Sequence, residues 1–459
     1  MSVTNKQLTY EQSATKWRLV KDCVDGEYSV KKAGTLYLPM PNATDQSKEN
    51  KTRYEQYKTR AQFVNYTGRT KKGLIGGVFR KPPTVELPSQ LEYLEDDASR
   101  NGISLNNLSK LTTGEILETA RGGLLSDFPQ TEEGLTLSET KDNKAYIINY
   151  EANQIINWHL DEGGTLDLVV LMEEIDVSTD DFNFESERRY RVLRLVDGVY
   201  SQSYYDDGGD LLWMSEPRKA DGTTFNEIPF SWVGAEDNDE TIDNAPLYDI
   251  AVVNIGHYRN SADYEESCFF VGQPTPVISG LTQSWVDDNG TNYMIGSRAA
   301  WLLPDGGRGE LLQAAPNQMP QQAMKDKEEQ MVAIGARVVQ DNSGNETATT
   351  ARINHTGENS ALGTIADNVS AAYTKVLGWC AEFMGASDEE IVFQLNTEFF
   401  DMSLDAQTIT AQIMLVDRQI IAKTDLRDNL RRGGVLDADR TDEEIDDETA
   451  NDPGGLDLE

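Results

Sequence analysis

The 459-residue sequence contains only three cysteines and three histidines. The cysteines, Cys23, Cys268 and Cys380, are far apart and form no CxxC pair, so the sequence predicts neither a disulfide framework nor a cysteine-based zinc site. The histidines stand about a hundred residues apart, and neither HExxH nor GxSxG occurs. We therefore expect a reduced, intracellular chain that binds no metal and no cofactor and is not an enzyme.

Long apolar runs are also missing. No window approaches the roughly 18 apolar residues that a membrane helix needs, and the opening residues MSVTNKQLTY lack the apolar core of a signal peptide. Hydrophobic residues make up 38% of the chain and aromatic residues 8%, which is enough for a core beneath a large polar surface. We expect a soluble chain with no membrane partner.

Basic residues are scarce overall, since 41 Lys and Arg face 78 Asp and Glu, for a net charge of −37. This balance argues against a protein that grips nucleic acid tightly, because phosphate binding depends on Lys and Arg. It does not exclude a protein past which nucleic acid slides. The distribution is uneven: residues 1–81 hold sixteen bases and seven acids, whereas residues 437–459 hold Arg440 as their one base. The pattern favours different partners at the two ends, or ordinary solvation of helices and tails.

Phosphate loops and cation loops have little support. Gly68 and Gly73 have the GxxxxG spacing, but Leu74 and Ile75 stand where a Walker A loop has Lys and Ser or Thr. Three acidic pairs lack the alternating D-x-D-x-D-G pattern of a calcium loop, and solvated turns are the favoured interpretation. A metal-dependent hydrolase that uses such clusters stays open as a distant alternative. The pairs are Asp180-Asp181, Asp206-Asp207 and Asp287-Asp288.

Hydrophobic periodicity predicts a mixed α+β chain in which helix predominates. The predicted helices cover residues 51–76, 101–126, 245–268, 320–336 and 360–383, with two or three shorter ones in 403–451. Strands are predicted in residues 145–201, 225–233 and 391–395, and strands with turns in 269–315. The first 30 residues are polar and mixed.

Four segments, in order and spacing, resemble the portal proteins of tailed bacteriophages. They are residues 54–83 (YEQY…RAQFVN…GLIGGVFRKPP), 117–129 (LETARGGLLSDFP), 150–158 (YEANQIINW) and 245–276 (APLYDIAVVNIGHYRNSAD…GQPTP). None is diagnostic alone, and the resemblance covers the chain to about residue 430.

The resemblance implies the portal-protein fold of wing, stem, clip and crown, assembled into a cyclic ring. It divides the chain as follows: the N-terminal part of the wing at 1–240, a first stem helix at 241–268, a clip at 269–318, a second stem helix at 319–336, a tunnel loop at 337–357, a wing or spine helix at 358–400, and a short crown with an acidic disordered tail at 401–459.

The resemblance also implies a role. Portal subunits form a homo-oligomeric ring, usually twelve-membered, at one capsid vertex of the virion, after synthesis in the host cytoplasm. Double-stranded DNA passes through the ring without sequence specificity during packaging and ejection. Its partners are terminase, the head–tail adaptor and tail proteins, and the major capsid and scaffolding proteins. Another connector or adaptor component of the virion is the alternative.

Two sets of candidate residues follow from this resemblance. The channel and tunnel-loop set is Lys325, Lys327, Arg337, Asn342, Asn345, Arg352 and His355. Its four cations are expected either to make transient phosphate contacts or to form salt bridges between subunits. The clip-docking set is Gln273, Pro274, Trp301, Asp305 and Arg308, in a Gly- and Pro-rich block that would offer edge strands or be an ordinary β insertion.

Overall fold

A computed structural model describes most of the chain, in two compact units, Met1–Thr397 and Glu398–Glu459. The described residues are 2–129, 143–180, 182–272, 275–290, 302–312, 317–338, 360–387 and 391–399, and in the second unit 413–414, 416, 418, 422–432, 436–437 and 440–451. The predicted mixed α+β class is confirmed, and in the described residues helix exceeds strand.

The helices of the first unit are α1 (Leu8–Asp25), α2 (Glu27–Lys32), α3 (Lys48–Arg60), α4 (Tyr66–Val78), α5 (Tyr93–Asp96), α6 (Leu105–Thr119), α7 (Tyr248–Gly272), α8 (Gln283–Asn289), α9 (Met319–Arg337) and α10 (Ala361–Met384). The strands are β1 (Thr84–Glu86), β2 (Arg121–Asp127), β3 (Tyr146–Glu151), β4 (Ile155–Leu160), β5 (Leu166–Asp176), β6 (Ser186–Val196), β7 (Val199–Tyr205), β8 (Leu211–Ser215), β9 (Phe230–Gly234), β10 (Thr275–Ser279), β11 (Arg308–Leu312) and β12 (Val392–Gln394).

Two antiparallel sheets form the centre of the first unit. One has the order β3-β2-β9, and the other is the meander β4-β5-β6-β7-β8. Helices α6 and α10 pack against the three-stranded sheet, and every residue of β2 is buried. Two further pairs, β1 with β12 and β10 with β11, are separate two-stranded sheets. The core therefore lies between the β2 sheet and the helices that cover it.

A buried ion pair links the two central sheets. Arg191 of β6, 2% exposed, contacts the carboxylate of Asp127 on β2 through Nη2. Its Nε also donates to Gln202 Oε1 at 3.1 Å, and Nη1 lies 3.4 Å from the hydroxyl of Tyr150. A charged group this deep is tolerable only because its donors are satisfied.

A second buried guanidinium is held mainly by aromatic faces. Arg121 of β2 is 1% exposed and lies 3.9 Å from the ring centre of Trp232 and 4.2 Å from that of Trp158. Its Nη1 donates to the backbone oxygens of Glu240 and Thr241. Burial lowers the pKa of Arg121 to about 9, and nearby acids offset only part of that effect.

The helix predicted at 51–76 is wrong as a single element, because α3 and α4 are separated by residues 61–65. Asn65 accepts from Gly68 N at 2.7 Å and caps α4, which starts a new helix. Tyr54, Tyr57, Ala61 and Val64 keep a helical spacing through residues 61–65, so the sequence hid the break.

The helix predicted at 101–126 ends early. Ser104 caps α6 by accepting from Asn107 N, and Ala120 adopts a left-handed conformation at φ 56° and closes the helix. The chain then continues as β2, where Gly123 leaves room for the ring of Phe230. The run of leucines concealed this change from helix to strand.

Other expectations agree with the structure. Strands occupy the predicted 145–201 block, α10 spans the predicted 360–383, and β12 falls in 391–395. Helix α1 was missed in the polar N-terminal segment, although it buries Tyr10, Trp17, Val20 and Cys23. None of the described helices is long and apolar enough to span a membrane.

The described part of the second unit contains two helices, α11 (Lys423–Arg432) and α12 (Asp442–Asn451). Arg427 contacts the carboxylate of Asp446, and Arg431 contacts that of Asp442, so opposite charges join the two helices. This agrees with the short helices expected in 403–451. The tail expected to be disordered, 452–459, lies outside the described residues.

Candidate functional site: a helix pair with a β module

Helices α7 and α9 pack side by side as an antiparallel pair. His257 Nε2 of α7 lies 3.3 Å from Glu328 Oε1 of α9. Ile250, seven residues earlier in α7, lies close to Gly335, seven residues later in α9, so the two helices run in opposite directions. Gly256 permits the close approach, since a methyl group there would lie 3.0 Å from Lys327 Cε. The two helices are joined through β10, α8 and β11, which we call the β module (residues 275–312).

Buried polar side chains of α7 fix it against the break between α3 and α4. Asn254 Oδ1 accepts from the backbone N–H groups of Tyr66 and Thr67, each at 3.2 Å, and its amide donates to Val64 O at 2.9 Å. Ser261 Oγ both accepts from Gln62 N and donates to Gln62 O. The backbone groups freed by the helix break are therefore satisfied from α7.

His257 is the titratable group at the centre of this junction. Its side chain is fully buried, its ring lies 5.7 Å from that of Tyr66, and its Nδ1 has no hydrogen-bond partner. Burial lowers the pKa of His257, whereas Glu328 opposes part of that shift. The neutral imidazole is thus the form that the helix pair favours.

The second half of α7 is more exposed, and side chains of α3 contact it. The hydroxyl of Tyr57 donates to Asp263 Oδ1 at 2.6 Å. Arg60 contacts the carboxylate of Glu266, and its guanidinium lies 4.3 Å from the ring centre of Phe269. Phe269 and Phe270 remain 39% and 47% exposed. Helix α7 is therefore buried in its first half and becomes more exposed towards the β module.

The described residues of the β module, 275–290 and 302–312, form a strand pair and a short helix. Strands β10 and β11 pair antiparallel from Thr275 opposite Leu312 to Ser279 opposite Arg308. Gly280 closes the pair with φ 79°, where a side chain would meet Gly306 O at 2.7 Å. Helix α8 was not predicted; Thr282 caps it by accepting from Trp285 N.

Helix α9 packs one stripe against α7, Gly335 also lies close to Thr70 of α4, and other side chains of α9 are exposed. Met331 is 2% exposed, whereas Val332 beside it is 67% exposed and Met319 73%. The α7–α9 pair carries four bases and seven acids, for a net charge of −3 over 248–272 and 319–337, and all of this excess lies on α7. Apolar side chains this exposed on a helix favour contact with another surface.

The structure places part of the predicted channel set on α9. Lys325 is exposed, Lys327 crosses Gly256 of α7, and Arg337 is the last residue of the helix. The remaining members, Asn342, Asn345, Arg352 and His355, lie outside the described residues. In the clip-docking set, Asp305 lies exposed in the turn before β11 and Arg308 begins that strand, whereas Gln273, Pro274 and Trp301 lie outside the described residues.

Members of two of the acidic pairs considered as cation sites, Asp180 and Asp206, cap turns instead, and the third pair, Asp287-Asp288, lies within α8. Asp180 Oδ1 accepts from the backbone of Phe182 and Asn183, and Asp206 Oδ1 accepts from Asp210 N, each at 2.8 Å. In the described parts of the chain, no group of three or more His, Cys, Asp or Glu side chains is placed to hold a metal ion. The sequence analysis did not identify Asn254 and Ser261. The signal that could have found them is a pair of polar residues seven positions apart, on the face of α7 that carries its apolar side chains.

Comparison with known proteins gives one family match. Residues 246–384, from the start of α7 to the end of α10, match a family described as a domain of unknown function (DUF4055). The match thus spans the helix pair and the β module as one block. No curated protein matches the chain.

Two solved structures show a distant likeness. A chain in the virion of a native gene transfer agent particle is 14% identical with a TM-score of 0.40, over 87% of this chain and 98% of that one. A chain in the neck of an empty gene transfer agent particle, computed with C6 symmetry, is 14% identical with a TM-score of 0.41, over 89% and 98%. Similarity this remote carries no argument about what the present chain does.

Proposed function

We propose that this chain is a portal protein, a subunit of a ring at one capsid vertex through which double-stranded DNA is packaged and ejected. The observation that carries the proposal is the antiparallel α7–α9 pair with the β module between its helices. It lies at the position in the chain where the sequence resemblance places the stem and the clip.

The exposed surface of the helix pair supports assembly. An isolated subunit would leave Val332 and Met319 of α9 and Phe270 of α7 in water. Because closed cyclic rings use heterologous contacts, one flank of each subunit buries surface on the opposite flank of the next. Twelve copies of a helix pair can then surround a channel, and the β module can meet other proteins at its end.

The charge of the chain supports passage of DNA in place of tight binding. Each subunit carries −37 overall, and the described helix pair is itself slightly acidic. A channel with few fixed cations offers DNA few contacts at which it would be held. Lys325, Lys327, Arg337 and Arg352 are the proposed positions for transient phosphate contacts, together with Asn342, Asn345 and His355.

The remaining subdivisions are part of the same proposal. Residues 1–240 and 358–400 form the wing, 337–357 the tunnel loop, and 401–459 the crown and tail. The β module and its flanks, including Gln273, Pro274, Trp301, Asp305 and Arg308, form the surface for terminase and later for the head–tail adaptor. The protein then resides in the virion and performs no catalysis.

Negative-stain imaging of the purified chain tests the proposal. We expect rings with a central, stain-filled hole, about twelve-fold in end views. Monomers or dimers at all concentrations, or closed particles without a hole, would contradict it.

A gel-shift assay with a linear duplex separates a conduit from a DNA-binding ring. Because the chain is strongly acidic, we expect no stable complex with free duplex at physiological salt. A stable shift with a steep salt dependence would mean that the ring binds DNA on a basic surface and would overturn the conduit role.

A further inference from the structure

An arm projects from the edge of the five-stranded sheet. Strands β5 and β6 pair with each other as far as Asp176 opposite Ser186. Their neighbours stop earlier, because β4 ends opposite Leu171 and β7 ends opposite Tyr190. The last four residue pairs therefore have no strand beside them, and they extend about 14 Å beyond the sheet at 3.4 Å per residue.

The tip of the arm presents two phenylalanines to solvent. Phe182 is 95% exposed and Phe184 78% exposed. The tip is ordered by its own hydrogen bonds: Asp180 accepts from two backbone N–H groups and from the Asn183 amide, and Ser178 Oγ accepts from Glu185 N at 2.9 Å. Two large rings held in water by a pre-formed loop are costly unless another surface buries them.

A cleft elsewhere on the same unit has the complementary character. It lies between α4 and α6, has a volume of about 460 Å³, and is mostly apolar. Its lining includes Ile75, Ile103, Leu111 and Gly114 with Lys71 and Lys110 at the rim. Leu111 is 56% exposed, and a methyl group at Gly114 would lie 3.1 Å from Lys71 Cε and 3.3 Å from Ile75 Cδ1, so these two side chains cover Gly114. The size suits one or two aromatic side chains.

The charges of the two surfaces are opposite. Lys71 contacts Glu118, whereas Lys110 is exposed and lines the cleft. The arm carries exposed Glu185 and Glu187 beside its phenylalanines. The same contrast holds over longer segments, because residues 155–216 sum to −11 and residues 1–81 to +9. Such complementarity steers association and selects the partner surface.

We propose that the aromatic arm of one copy docks into the α4–α6 cleft of the next copy. The contact is heterologous, since arm and cleft are different surfaces, and successive copies continue in one direction until a ring closes. This inference rests on the ring of the proposed function and names one of the contacts that hold it. Phe182 and Phe184 enter the cleft against Leu111, and Glu185 meets Lys110.

Cysteine cross-linking tests the contact. The chain with Phe184→Cys and Leu111→Cys, in a Cys268→Ser background that removes the exposed native thiol, is oxidised mildly and run on a non-reducing gel. We expect a ladder that extends from dimer to the full ring and collapses on reduction. The two single-cysteine chains, Phe184→Cys and Leu111→Cys, are the matched controls and should stay monomeric on the gel.

The outcomes separate this inference from the proposed function. Rings on imaging without a ladder in the double-cysteine chain would overturn the arm contact and leave the portal proposal standing. A ladder that stops at dimers would also overturn it, because that pattern means an isologous pair. The absence of rings from the unmodified chain would contradict the proposed function itself.

Charge reversal gives a second test that does not depend on oxidation. We expect Glu185→Lys and Lys110→Glu each to lower the fraction of ring several-fold at low salt, and the combined variant to recover most of it. Far-ultraviolet circular dichroism verifies that each variant is folded. A combined variant with no more ring than either single change would contradict the pairing of these two residues.

Discussion

The central sheets and the α7–α9 pair differ in how completely one chain satisfies them. In the sheets, buried charges such as Arg191 and Arg121 find carboxylate, amide, carbonyl and aromatic partners within the same chain. In the helix pair, Met331 is covered but Val332 beside it is not. The sheets therefore pair their buried charges within one chain, whereas the helix pair leaves apolar side chains exposed that the proposed ring would cover.

This difference distinguishes the residues that stabilise one folded chain from the residues that we expect to contact other chains. A region with paired buried charges is sensitive to single substitutions, because a lost partner leaves a buried charge uncompensated. Substitutions on an exposed helix change the stability of the monomer little, and we expect their effect to appear when subunits assemble. The predictions below test the contrast, from the largest expected effect to the smallest.

Arg191→Met should give the largest loss of stability. The change leaves Asp127 buried without its cation, and breaking a buried pair in this way costs about 3–5 kcal/mol. Urea unfolding followed by tryptophan fluorescence measures it. Arg194→Met, on the same strand but exposed, is the control and should change little; equal losses in both variants would contradict the role of the buried pair.

Gly123→Ala should cause the next largest loss of stability. A methyl group at Gly123 would lie 2.2 Å from Cζ of the buried Phe230, so the ring must move, which lowers the free energy of unfolding by about 1–3 kcal/mol. Gly73→Ala in α4, where no atom lies within 4 Å, should instead stabilise the chain by about 0.5–1 kcal/mol. Thermal unfolding of both variants measures the effects, and the same sign in the two would refute this account of crowding.

Tyr373→Phe should reduce the slope with which stability falls as the pH rises in the alkaline range. Burial raises the pKa of Tyr373, whose hydroxyl lies 2.9 Å from Thr112 Oγ1. Its contribution is complete below about pH 10, where the unfolded tyrosine is protonated, and is lost as the pH rises, at up to about 1.4 kcal/mol per pH unit.

Urea midpoints at pH 9, 10 and 11 measure this slope. Tyr28→Phe, at a side chain 78% exposed, is the matched control. A slope in Tyr373→Phe as steep as that of the unmodified chain would show that Tyr373 stays accessible.

His257→Gln should have the smallest effect, confined to acid. Since burial lowers the pKa of His257, its contribution to stability is complete above about pH 6.5 and declines as the pH falls below that value. We expect the unmodified chain to lose more stability than His257→Gln between pH 7 and pH 5. Hydrogen exchange of α9 amides, corrected for intrinsic rates, reports the loosening of the pair; identical pH profiles would contradict it.

Regular helices were predictable from the sequence, and their interruptions were not. The spacing of Leu362, Ile365 and Val369 gave α10 within about one residue, because all three face one buried side. The break after α3 depends on Asn254, almost 190 residues away in sequence, which satisfies the backbone there. Local periodicity carries no information about such a distant partner.

The candidate site was predictable in outline for a related reason. The succession of a long helix, a Gly- and Pro-rich block and a second helix was visible along the chain, and α7, the β module and α9 follow it. Helix α8 and the contact of His257 with Glu328 were not visible, since the former is short and the latter joins positions 71 residues apart. The exposed Phe182 and Phe184 were also missed, because the alternation of apolar and polar residues does not show that the β5–β6 hairpin extends beyond the neighbouring strands.

The most direct test of the central claim is the native mass of the purified chain by light scattering. The portal account predicts a stable species of about 610 kDa, twelve copies of 51.2 kDa, across a wide range of concentration. A mass of one or two chains that persists at high concentration would contradict the account, since the surfaces of the helix pair would then have no second copy to complete them.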